Sequence, residues 1–160
     1  MRIMAKNNAK LQTKIISGKV FWASVIEPNT TYEPAWQVDI CLTPATKKIV
    51  EGDSLTVKNK GDDRGDFITL KRKVLRQDGT KRQAPVVKDS QNNPWNGQLI
   101  GNGSVCNIKY TPYEWNRSGK SGVSADLTAI QVVDFVGYTK DDFEAVDGYT
   151  IDSDREVVNL

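Results

Sequence analysis

Trp36-Gln37-Val38-Asp39-Ile40-Cys41-Leu42 alternates without a break. Trp36, Val38, Ile40 and Leu42 fall on one face of an extended chain, and Gln37, Asp39 and Cys41 fall on the other. A period of two marks a strand with one face on a core and one toward solvent. Upstream, residues 14–26 are rich in Ile, Val, Phe and Trp and stop at Glu27-Pro28-Asn29, which reads as a strand and a loop. Downstream, Thr43-Pro44 opens a short helix over residues 45–51, with Pro44 in its first turn and Gly52 closing it. A polar, glycine-bearing loop follows over residues 59–66. Residues 67–75 and 80–88 read as two strands joined at Asp78-Gly79, a hairpin turn signal.

Residues 89–103 form a long loop, and residues 104–113 alternate again as a strand. Residues 116–122 read as a Ser/Gly loop, and residues 124–138 as the longest strand, apolar on both faces. No internal repeat and no long helical period occurs. Short strands at close intervals with one small helix predict an all-β fold, an OB-like five-stranded barrel with long loops. Residues 1–13 are polar and basic and read as a flexible arm on a domain ending at residue 140. Residues 141–160 form a separate tail.

Composition narrows the chemistry. The chain has 160 residues, enough for one domain and a tail. It has no histidine, which excludes histidine general bases and Ser-His-Asp triads. Its two cysteines, Cys41 and Cys106, cannot by themselves make a four-ligand zinc site. No apolar run approaches the roughly 20 residues of a membrane span, and no signal peptide opens the sequence. The expected place is the cytoplasm, with both thiols reduced and no membrane partner.

The net charge of +2 conceals an asymmetry. Residues 1–140 carry +8. Residues 141–160 carry −6, from Asp141, Asp142, Glu144, Asp147, Asp152, Asp154 and Glu156 against Arg155. The tail also holds apolar side chains, Phe143 and Leu160 among them. It reads either as a solvated terminus or as an anionic segment with a partner. The densest positive charge is at residues 71–82: Lys71, Arg72, Lys73, Arg76, Lys81 and Arg82 against Asp78 alone.

Alternation places Phe67, Thr69, Lys71 and Lys73 on one face, with Arg72 interrupting the other. An aromatic in line with lysines suits a single strand of nucleic acid, because cations meet phosphates and a ring stacks on a base. The plain alternative is a solvated hairpin. Lys109-Tyr110-Thr111-Pro112-Tyr113-Glu114-Trp115-Asn116-Arg117 is a second aromatic and basic run. Tyr110 shares a face with Cys106 and Ile108 and reads as core. Tyr113 and Trp115 follow the proline and are freer, although Trp115 could instead cap the barrel. Trp36 reads as core. Phe21 and Trp22 point to opposite faces and cannot both be core in a strand buried on one side. Trp95 has no assignment.

Other motifs fail. Gly119-Lys120-Ser121 lacks the first glycine of a P-loop, and Gly101-Asn102-Gly103 lacks the third glycine of a dinucleotide fingerprint. Asp62, Asp63 and Asp66 could ligate Mg²⁺ for phosphodiester cleavage, but no partner carboxylate stands out. Neither a cofactor nor catalysis is expected.

Three segments carry a family resemblance. They are Ser17-Gly18-Lys19-Val20-Phe21-Trp22-Ala23 with the strand after Trp36, Ile100-Gly101-Asn102-Gly103-Ser104-Val105 through Tyr113-Glu114-Trp115, and Ala129-Ile130-Gln131-Val132-Val133-Asp134 with the acidic end. Together they resemble the tailed-phage single-stranded DNA-binding proteins, which have an OB fold and an acidic C-terminal tail. Family tails often finish in an aromatic residue, where this sequence has Val157-Val158-Asn159-Leu160.

The resemblance implies coating of single-stranded DNA during phage replication, recombination and repair in the host cell cytoplasm. It also implies a homodimer and a tail that contacts replication proteins such as DNA polymerase and helicase-primase. The residues expected to neutralise phosphate are Lys71, Lys73, Arg82 and Lys109. Those expected to stack are Phe67, Tyr113 and Trp115. The alternative is a non-enzymatic phage structural or protein-interaction barrel, with the basic hairpin as mere surface.

Overall fold

The computed structural model describes residues 12–137 and 147–149. The elements run β1 (Lys14–Asn29), β2 (Ala35–Cys41), α1 (Pro44–Gly52), β3 (Lys58–Asn59), β4 (Asp66–Lys73), β5 (Val86–Lys88), β6 (Val105–Arg117) and β7 (Lys120–Asp134). The sheet order is β3-β4-β2-β1-β6-β7-β5. A parallel bridge between Lys71 of β4 and Asp126 of β7 joins the ends of the series β4-β2-β1-β6-β7. The result is a closed five-stranded barrel with one short helix, consistent with an OB-like fold.

Alternation builds the core. Val38 and Ile40 of β2, Leu70 of β4, and Ile108 and Tyr110 of β6 point inward and are buried. Trp36 is buried with them. The Tyr110 hydroxyl donates to Asp53 at 2.9 Å, and Lys14 meets the other carboxylate oxygen at 2.6 Å. A buried phenol and a buried carboxylate are thereby both satisfied.

α1 starts at a capping box. The Thr46 N–H donates to the Thr43 hydroxyl, and the Thr43 N–H donates to Thr46 Oγ1. Pro44 follows in the first turn, and Val50 drops into the core.

β1 carries a bulge. Its core positions are Ile16 and Val20 before the bulge and Val25 after it, so the inward parity changes. The register agrees: Phe21 pairs with Asp39, but Ser24 pairs with Gln37, three residues against two. The extra residue puts both Phe21 and Trp22 on the outer face. The expectation that they point to opposite faces holds only for an unbroken strand. Trp22 has φ 52 and is 60% exposed.

Three more boundaries differ from the sequence reading. The loop over residues 116–122 contracts to the turn Ser118-Gly119, where both residues have positive φ (54 and 79). Positive φ at both central residues is the tight hairpin geometry that matches strand twist, so β6 and β7 run straight into it. The strand over residues 80–88 shrinks to β5, which pairs parallel with β7. The hairpin at Asp78-Gly79 is reduced to an isolated bridge from Leu75 to Lys81, flanked by backbone bonds from Arg76 to Thr80 and from Arg82 to Val74. β7 ends at Asp134 rather than running to residue 138.

Candidate nucleic-acid interface

Beyond Tyr110, β6 leaves β1, so residues 111–117 pair only with β7 among the described residues. This free-standing hairpin is one wall of a groove. The other wall is the end of β4 and the loop after it. The groove has a volume of about 1050 Å³.

The hairpin wall follows from a period of two. Thr111, Tyr113, Trp115 and Arg117 share one face of β6, opposite Asp126, Ser124, Gly122 and Lys120 of β7. Tyr113 is 48% exposed and Trp115 is 38% exposed. Trp115 lies over Gly122, the one neighbour with no side chain. A Cβ at position 122 would lie 2.7 Å from Cζ2 of the indole. One ring face rests on backbone, and the ring remains part exposed beside the cations.

Both walls supply charge. Lys71, Arg72, Lys73, Arg82, Arg117 and Lys120 line the groove against Glu33 and Asp126. Arg72 donates to both oxygens of Asp126 at 2.8 Å and to the Gln83 carbonyl at 3.0 Å. Its hydrogen bonds with Asp126 raise its already high pKa. This bidentate pair staples β4 to β7 beside their bridge, so the charge that interrupts the inner face of β4 closes the barrel.

Lys73 meets Glu33 at 3.4 Å in an exposed pair, a geometry worth little in water. Among the described residues Lys71, Arg82, Arg117 and Lys120 have no carboxylate partner. Arg82 is set by its backbone N–H, which donates to the Val74 carbonyl at 2.7 Å. Arg76 is spent inside the turn, donating to the Lys81 carbonyl and to Thr80.

The groove therefore brings together Lys71, Lys73, Arg82, Tyr113 and Trp115. Arg117 and Lys120 join them. Sequence reading passed over Lys120 because it sat in a supposed loop. The Ser-Gly pair flanked by extended residues was the available signal.

Two expected residues lie elsewhere. Phe67 keeps its face of β4 but is only 1% exposed. Arg64, from the loop before β4, lies over the ring at 4.0 Å and is anchored by Asp39 and Asp62. No base reaches that ring, so the stacking assignment of Phe67 is corrected to a covered, buried one. Lys109 is exposed but is not a groove residue; it pairs with Ile15 and Ala129.

Two of the three aspartates weighed as metal ligands, Asp62 in the loop before β4 and Asp66 at its start, are engaged by side chains. Asp62 holds Arg64, and Asp66 accepts from Lys47 and Asn59. Among the described residues no three potential ligands converge on a metal position. Nor is any described helix long and apolar enough to cross a membrane. Of the tail residues singled out above, only Asp147 is described, and it is exposed. Asp141, Asp142, Phe143, Glu144, Asp152, Asp154, Glu156 and Leu160 lie outside the described residues.

No protein-family model and no curated protein matches the sequence. Solved structures do share the fold. gp2.5, a single-stranded DNA-binding protein encoded by bacteriophage T7, superposes with a TM-score of 0.58 at 18% identity. That match covers 88% of this chain and all of the other, 100%. The single-stranded DNA-binding protein of bacteriophage Enc34, in complex with single-stranded DNA, gives a TM-score of 0.60 at 13% identity. It covers 79% of this chain and 88% of its own. A C-terminally truncated form of the Enc34 protein gives 0.59 at 12% identity, covering 80% and 88%.

Proposed function

We propose that this chain is a phage single-stranded DNA-binding protein. It coats single strands without base preference during DNA replication, recombination and repair, and it works by binding rather than catalysis. The observation that carries this reading is the groove in which Trp115 and Tyr113 stand beside Lys71, Arg82, Arg117 and Lys120. Aromatic faces accept any base, and cations accept any phosphate, so the combination tolerates sequence. The barrel shared with two phage proteins that bind single-stranded DNA supports it.

In this reading Lys71, Lys73 and Arg82 neutralise phosphates inside the groove. Lys109, exposed on β6 outside the groove, meets phosphate at one end of the DNA path. The reading includes a homodimer, which light scattering would measure. It also gives the acidic tail two roles. A −6 segment tethered to a cationic body competes for the groove at high effective concentration. Once displaced by DNA, it offers its charges to replication proteins such as DNA polymerase and helicase-primase.

The test is a salt titration of binding to oligothymidine. Phosphate neutralisation releases counterions, so affinity should fall steeply with log salt, by about 0.7 per contact on single strands. A flat dependence would leave a protein-interaction barrel instead.

A further inference from the structure

Trp22 is a large apolar side chain left 60% exposed on a backbone with φ 52. Left-handed backbone is a genuine outlier for a bulky residue, and it persists only where the surroundings over-determine it. Here they do. The Trp22 N–H donates to Asn102 Oδ1 at 2.8 Å. The turn that presents Asn102 is tied to Val20 of β1 by two bonds: the Gly103 N–H donates to the Val20 carbonyl at 2.9 Å, and the Val20 N–H to the Ser104 carbonyl at 2.8 Å. Gly101-Asn102-Gly103 thus has a physical task, to pin the bulge that turns Trp22 outward.

The face it turns toward leads back to the groove. Ser24 of β1 pairs with Gln37 of β2, and Gln37 pairs with Lys71 of β4. In the neighbouring row Phe21 pairs with Asp39, and Asp39 with Thr69. Lys71 also lines the groove. Adjacent strands are about 4.8 Å apart, so the bulge lies about 10 Å from β4 on one continuous outer face. Lys19 and Lys58 are exposed on that side of the barrel, and Lys58 reaches Thr69.

We propose that Trp22 is a second stacking platform, taking a base of the same single strand after it leaves the groove past Lys71. This rests on the single-strand reading of the groove and extends it across β2 to β1. A second platform at that separation makes a length-dependent contribution. A strand just long enough to fill the groove has no base left over for Trp22, and a longer one has.

The experiment compares the full chain with its Trp22→Gly and Trp22→Phe variants on oligothymidines of about 4 and about 16 nucleotides, the range that OB folds cover. Glycine accepts positive φ at no steric cost, so Trp22→Gly should fold at least as stably as the parent in a thermal melt. The expected result is an affinity roughly tenfold weaker for the long strand in Trp22→Gly, with the short strand unchanged. Trp22→Phe keeps a ring and should retain most of the long-strand affinity.

An unchanged long-strand affinity in folded Trp22→Gly overturns the proposal. So does an equal loss on both lengths, which would mean that Trp22 acts through the groove. Weaker self-association with unchanged DNA affinity would assign Trp22 to an interface between copies, and also overturns it. Failure of the unmodified chain to bind either strand is a different result: it removes the single-strand reading itself.

Discussion

The indole of Trp115 rests on Gly122 across the β6–β7 hairpin, in the space that any side chain at position 122 would occupy. This contact sets the height and tilt of the ring on the groove wall. Gly122→Ala should push the indole away from its seat, because a methyl there would lie 2.7 Å from Cζ2. The ring is part exposed and can swing, so the fold should survive. Single-strand affinity should fall toward that of Trp115→Ala, a loss of about 1–3 kcal/mol per stacked base. The salt dependence of binding should stay the same. Fluorescence titration of both variants checks this.

Lys71→Ala should behave differently. Lys71 has no carboxylate partner among the described residues, so its charge is fully available to a phosphate. Its removal should weaken binding and flatten the log–log salt slope by about 0.7. Arg117→Ala should do the same. Lys73→Ala should do so less, since Glu33 already claims part of that charge. Parallel salt titrations of the three variants rank them.

Phe67→Ala should act on stability. The ring is buried under Arg64, and core Phe→Ala substitutions cost about 3–5 kcal/mol. Urea unfolding should show that loss. Binding measured well below the unfolding transition should stay close to that of the parent.

Phe67 also shows how far the sequence could be read. Alternation identified the strand and correctly gave Phe67 the same face as Lys71. It could not reveal that the loop before β4 folds Arg64 back over the ring, because that contact depends on Asp39 two strands of sequence earlier. The groove has the same character. Tyr113, Trp115, Lys71, Lys73 and Arg82 were each legible as exposed, chemically suited side chains. Their convergence depends on the parallel bridge from Lys71 to Asp126, a long-range pairing with no local signal. The length of the β6–β7 hairpin was obscured because Ser118-Gly119 sits among polar residues that also suit an open loop. The bulge at Trp22 was hidden for a related reason: a period-two count carries on through an extra residue unless the partner strand is known.

Alkaline pH should destabilise the barrel through buried groups. Burial pushes the Cys106 thiol from 9.0 up to about 12. Burial, with the Asp53 hydrogen bond behind it, also raises the Tyr110 phenol. The folded state keeps protons that the unfolded chain gives up, so it loses ground as pH rises past the unfolded values. Stability from these groups should be fully present below pH 9 and decline from there toward pH 12. Cys106→Val should remove the first part of that decline and leave the part due to Tyr110. Urea midpoints measured across that range check the slope.

If the −6 segment competes for the groove as proposed, deleting residues 141–160 should tighten single-strand binding at low salt. The gain should shrink as salt screens the competing contact. Under the proposed partner role of the tail, the same deletion should abolish capture of a replicative polymerase. Unchanged low-salt affinity would show that the tail does not compete for the groove.

In the proposed function, unpaired bases stack in the groove while its cations hold the phosphates. The most direct measurement is a comparison of equilibrium affinity for a single strand and for the duplex of the same length and sequence, in one salt concentration. A duplex presents phosphates but keeps its bases stacked within itself, where Trp115 and Tyr113 cannot reach them. The prediction is clearly tighter binding of the single strand, with the preference lost in the Trp115→Ala, Tyr113→Ala double variant. Equal affinity for the two forms would contradict it and leave only a cationic surface.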